Sequence, residues 1–76
     1  DIRIFPNPAE GGRFEIQLSN SPADAQVFVY DRSGKIVYRY SLSQSETAIN
    51  ANLAMGLYVV KVVGESSVYC QKLMVQ

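Results

Sequence analysis

The sequence has no histidine, no tryptophan and a single cysteine among its 76 residues. Without histidine, the commonest general base and nitrogen ligand for metals is missing. Cys70 has no partner in the chain, so an internal disulfide, a cysteine cluster for zinc and a Cys–His nucleophile pair are all excluded. An excess of either charge is absent too. Seven Lys/Arg balance seven Asp/Glu for a net charge of zero. With no block of like charge, nucleic acid and acidic membrane surfaces are not expected as partners. The longest apolar run, Leu53 to Val60, spans eight residues, against the roughly 20 of a membrane helix, so no transmembrane segment is expected. Gly11-Gly12 is followed by no phosphate-loop or dinucleotide fingerprint and reads as a flexible turn. The carboxylates stand singly, and Asp24 and Asp31, in or beside loops, lack the D-x-D-x-D spacing of a calcium loop. No catalytic residue, cofactor or metal site is expected, and the chain is not expected to be an enzyme.

What is abundant is strand-forming chemistry: Val, Ile, Thr, Tyr and Phe make up 23 of the 76 residues. Ile2 and Ile4 flank Arg3 in a short opening strand that Pro6 and Pro8 are expected to stop, because proline offers no backbone donor. Phe14, Ile16 and Leu18 alternate with Arg13, Glu15 and Gln17, the pattern of a half-buried strand. Asn20, Ser21, Pro22 and Asp24 mark a turn-rich connection. Ala25 to Asp31 is apolar on both faces, as a central strand would be, and Asp31-Arg32-Ser33-Gly34 has hairpin-loop chemistry. The return strand runs to Leu42, with Ile36, Tyr38, Tyr40 and Leu42 expected on one face. Thr47, Ile49 and Ala51 mark a weaker strand.

Leu53, then Gly56, then Tyr58 ahead of a valine-rich run match the tyrosine-corner arrangement of Greek-key sandwiches, in which the tyrosine hydroxyl caps an upstream backbone group. Val68 to Val75 closes the chain as a strand whose two faces look equally apolar, with Cys70 expected to be a small buried hydrophobe. Turn signals every 8–12 residues complete the expectation. The fold class is all-β, a small Greek-key (immunoglobulin-like) β-sandwich of about seven strands. Residues 1–76 form one domain, expected to be the C-terminal module of a larger protein.

Four segments in order resemble the C-terminal sorting domain of the type IX secretion system (the Por secretion system, type A sorting family) of Bacteroidetes-type bacteria. They are Ile4-Phe5-Pro6-Asn7-Pro8-Ala9 with Gly12 and Phe14; Val27-Phe28-Val29-Tyr30-Asp31 with Gly34-Lys35; Gly56-Leu57-Tyr58-Val59-Val60-Lys61-Val62; and Lys72-Leu73-Met74-Val75-Gln76. The chain departs from many members in ending on Gln76 rather than a basic residue. The resemblance implies a secretion signal that directs its cargo from the periplasm across the outer membrane through the type IX translocon. A sortase-like cysteine peptidase would then remove the domain and attach the cargo to the cell surface.

On that resemblance the residues expected to carry recognition are Lys72, Leu73, Met74, Val75 and Gln76, with Pro6, Asn7 and Pro8. Gly34, Gly56 and Tyr58 are expected to determine the fold. For P-N-P and the last strand, structural and contact roles both remain open. Exposed sheet edges and the unpaired Cys70 leave a homodimer open as well. The alternative function is an accessory adhesin or carbohydrate-binding sandwich presenting Tyr38, Tyr40 and Tyr69 as a platform.

Overall fold

A computed structural model describes residues 2–19 and 24–76, and among these the alternating segments become seven strands. They are β1 (Ile2–Glu10), β2 (Arg13–Leu18), β3 (Ala25–Tyr30), β4 (Ile36–Leu42), β5 (Glu46–Asn50), β6 (Gly56–Val63) and β7 (Val68–Val75). No helix is present among the described residues. The connection expected at Asn20–Pro22 lies outside them. The all-β expectation holds, and the strands join in one hydrogen-bonded order, β4-β3-β6-β7-β1-β2-β5.

Within that order the pairings are antiparallel except where β1 meets β7, a parallel contact with Ala9 opposite Val75. The core draws on strands from both sides of this contact. Ile4, Phe14, Ile16 and Ile49 from β1, β2 and β5 form one buried cluster with Val27, Val29, Val60, Val62, Leu73 and Val75 from β3, β6 and β7. Each of these sits on the inward parity of its strand, which is what a side-chain period of two dictates. Burying an Ile or Leu in this way stabilises by about 1.5–3 kcal/mol, a large share of what a domain of this length retains.

Four details differ from the sequence reading. β1 does not stop at Pro6: the strand runs through both prolines to Glu10. The prolines act on the pairing instead, because the register with β2 breaks between Phe5 and Glu10 where donors are missing. In β4, the register shifts so that Tyr38 opposes Val29 but Ile36 opposes Tyr30. That bulge turns Ile36 to the side away from Tyr38 and leaves it exposed. Cys70 is exposed rather than buried, since β7 has a distinct dry side on which Leu73 and Val75 are fully buried. Finally, β5 ends at Asn50, and Ala51 packs against the core from the segment that follows.

Candidate functional site

Pro6 and Pro8 cannot donate to a neighbouring strand, so the chain between Phe5 and Ala9 needs another way to be held. Asn7 supplies it. Its side-chain Nδ2 donates to the Lys72 carbonyl at 2.9 Å, and its Oδ1 accepts from the Met74 N–H at 3.0 Å. A residue in a parallel ladder bonds a carbonyl and an N–H two positions apart on the neighbouring strand. The Asn7 amide bonds β7 on either side of Leu73 in that pattern, so a side chain replaces the backbone rung that the prolines remove. The two segments lie 65 to 67 residues apart in sequence.

The seam continues in both directions. Toward the start of β1, Gln71 Nε2 donates to the Ile4 carbonyl at 3.2 Å, and the Tyr69 hydroxyl holds Gln71 Oε1 at 3.0 Å. Toward the chain end, the Gln76 N–H donates to Ala9 O at 2.8 Å, and Gln76 O accepts from Gly11 N–H at 2.9 Å. Gly11 and Gly12 both have positive φ, 64° and 85°, which lets the chain reverse tightly between Glu10 and Arg13. This turn is not a loose one. The Gly12 carbonyl accepts from Ala51 N–H at 3.1 Å and that of Gly11 accepts from Leu53 N–H at 3.2 Å. A Cβ at Gly12 would sit 2.7 Å from Leu53 N, so the close approach itself requires glycine.

The seam sorts the terminal residues into two groups. Leu73 and Val75 are fully buried, whereas Lys72, Met74 and Gln76 are exposed, as are Pro6, Asn7 and Pro8. The exposed members of both segments therefore lie along one join, and the buried pair anchors that join to the core. This pairing is not visible in any local pattern. Its one sequence trace is the asparagine between two prolines, the only side chain in Pro6-Asn7-Pro8 able to both donate and accept.

Of the residues expected to determine the fold, Gly34 lies in the β3–β4 turn, whereas Gly56 and Tyr58 lie on β6 opposite Val75 and Leu73 of the seam strand. The Tyr58 hydroxyl donates to the Ala54 carbonyl at 2.7 Å from a largely buried ring, which is the tyrosine-corner contact. Gly56 opens β6 beneath that ring, and an added Cβ would meet Tyr58 Cε1 at 3.8 Å, an ordinary contact distance. Gly34 adopts φ 86° in the β3–β4 turn and donates to the Asp31 carbonyl at 3.0 Å. The Asp31 carboxylate accepts from Ser33 N–H (2.9 Å), the Ser33 hydroxyl (2.7 Å) and Lys35 N–H (3.0 Å). These donors, led by the Ser33 hydroxyl and then the Lys35 N–H, hold its pKa below the usual aspartate value. Tyr38 and Tyr69 pack against the core while Tyr40 is exposed, so the three do not gather into one exposed aromatic platform.

No helix among the described residues is long and apolar enough to cross a membrane. Residues 3–76 match a family described as the secretion system C-terminal sorting domain. Among solved structures, the chain is similar to part of PorZ from Porphyromonas gingivalis, described as an essential bacterial surface component of the type IX secretion system. The TM-score is 0.78 at 22% identity. The likeness covers 99% of this chain but 11% of PorZ, so this chain spans about a tenth of that protein and the two share a fold. No curated protein sequence matches the chain.

Proposed function

The chain belongs to the secretion system C-terminal sorting domain family of the type IX pathway, and from that premise we propose that its seam is the address the pathway reads. The domain is a sorting signal and not a catalyst, and such a signal implies export toward the outer membrane or cell surface. In the proposed reading, residues 1–76 are the C-terminal module of a larger cargo protein. Lys72, Met74 and Gln76, with Pro6, Asn7 and Pro8, face the translocon, while Leu73 and Val75 hold the strand in place from the core side. After passage, a sortase-like cysteine peptidase removes the domain and attaches the cargo to the surface. A homodimer would form through β4 or β5, whose outer edges end the strand order.

The observation that carries this reading is the paired hydrogen bond of Asn7 with the backbone of Lys72 and Met74. It joins the two exposed segments into one rigid surface, and recognition by shape needs a fixed shape. The test is a periplasmic reporter fused ahead of residues 1–76 in a host with a type IX system. Reporter outside the cell supports the reading. Reporter retained in the periplasm, while an established sorting domain exports the same reporter, contradicts it. The size of the exported reporter, with or without the domain, reports on removal by the peptidase.

A further inference from the structure

We infer that the outward side of β3, β4, β6 and β7 is a docking surface for a protein partner that presents carboxylates among apolar side chains. This inference rests on the sorting-signal reading and extends it beyond the terminal strand. Charge is unevenly distributed over the strands. β3, β4, β6 and β7 carry Arg39, Lys61 and Lys72 and no Asp or Glu. β1, β2 and β5 carry Arg3 and Arg13 against Glu10, Glu15 and Glu46. In a molecule with zero net charge, the only charges borne by these four strands are thus cationic, with Asp24, Asp31 and Glu65 confined to the turns at their ends.

Register puts these cations on the same side as half-buried and exposed apolar groups. Phe28 lies opposite both Arg39 and Lys61, and Val59 lies opposite both Tyr30 and Lys72. Leu57 pairs with Met74, and Val63 with Val68. The residues of opposite parity, including Val27, Val29, Val60, Val62 and Leu73, are buried in the core, so the named row points outward. Three of its members are large exposed hydrophobics, Leu57 at 38%, Val68 at 61% and Met74 at 44%, and Ile36, opposite the outward Tyr30, adds a fourth at 43%. Among the described residues, β1, β2 and β5 have no such exposed hydrophobic.

The arrangement fits a protein better than a polyanionic chain. Arg39 and Lys61 stand two strand spacings apart, roughly 9–10 Å, with Phe28 between them. Lys72 lies diagonally across β6–β7 from Lys61, but apolar groups outnumber the three cations on this side, and aromatic, Met and Arg groups set among aliphatic ones are the composition of protein interfaces. Strand spacing and length give the surface an area of roughly 400 Å². That is about half of what one partner contributes to a standard stable complex, so the contact is transient, as a signal handed onward requires.

The test uses the reporter fusion with changes confined to β4 and β6, leaving the terminal strand intact. Arg39→Gln with Lys61→Gln, and separately Leu57→Ser, should each lower export about tenfold while thermal melting stays at the wild-type value. Arg13→Gln on β2 should leave export unchanged. If the wild-type fusion is not exported, the sorting-signal reading itself fails. Wild-type export with undiminished export of both variants overturns the inference alone. Loss with the cation variant but not with Leu57→Ser overturns the protein partner in favour of a polyanion.

Discussion

Replacing Asn7 with alanine removes both hydrogen bonds that tie β1 to the backbone of Lys72 and Met74. A typical net contribution is about 1 kcal/mol per bond. Asn7 is exposed, so water re-solvates part of what is lost, and the expected cost is about 1–2 kcal/mol. In a domain of this size that lowers the melting temperature by roughly 5–12 °C. The loss should also be local. Gln76 keeps its bonds with Ala9 and Gly11, so hydrogen exchange should accelerate at the Met74 amide well before the Gly11 and Gln76 amides. Asn7→Asp adds a sign to the test. The carboxylate still accepts from Met74 but turns a lone pair toward the Lys72 carbonyl, whereas the protonated acid donates to it. The variant's folded-state pKa is therefore raised above its unfolded value of about 4. Its stabilising contribution is present below that value and lost as pH rises through the folded one. Relative to wild type at the same pH, Asn7→Asp should recover in acid and match or fall below alanine at neutral pH. The reasoning is refuted if Asn7→Ala melts within about 0.5 kcal/mol of wild type, the scatter of an ordinary surface change, with Met74 exchanging at the wild-type rate.

Tyr58→Phe keeps the ring and loses only the bond to Ala54, so chemical denaturation should show a loss of about 1 kcal/mol. Tyr58→Ala empties the site as well and should cost about 3–5 kcal/mol, near the total stability of so small a domain. Gly12→Ala should cost about 2–3 kcal/mol because its Cβ meets the Leu53 backbone. Gly11→Ala, where nothing lies within 4 Å, should cost about 1 kcal/mol for its positive φ alone, and melting curves of the pair separate clash from backbone strain. Because the Asp31 carboxyl titrates below its ordinary value, its contribution is present above the unfolded pKa and lost as pH falls through the folded one. The melting gap between wild type and Asp31→Asn should accordingly be full at neutral pH and close in strong acid.

The sequence was most legible where a strand and its turn carry their own signals. The alternation of Phe14 and Ile16 with Glu15 foretold which side of β2 would be buried. Val27 and Val29 marked a central strand, and Asp31 to Gly34 foretold a turn held by one carboxylate. Leu53, Gly56 and Tyr58 pointed to a hydroxyl-to-backbone contact a few residues upstream, and Ala54 accepts it. What stayed hidden was pairing between distant segments. Nothing local in Pro6-Asn7-Pro8 names β7 as the partner, and nothing in Gly11-Gly12 reveals that it joins both Gln76 and the segment after β5. β7 misled for a compositional reason: Val68, Cys70 and Met74 look as apolar as the residues between them. Its dry side is fixed only by the contacts of Leu73 and Val75 with the core.

The most direct test of a folded address is to unfold the domain without altering its outward residues. Ile16 on β2 is almost fully buried and belongs to neither proposed recognition surface. Ile16→Ala should cost about 2–5 kcal/mol, enough to leave much of the domain unfolded at growth temperature. The measurement is the ratio of exported to periplasmic reporter for wild-type and Ile16→Ala fusions, read beside the folded fraction of each purified domain. Export that falls in step with the folded fraction is the predicted result. Wild-type export from an unfolded Ile16→Ala domain would contradict it, because the address would then reside in linear sequence.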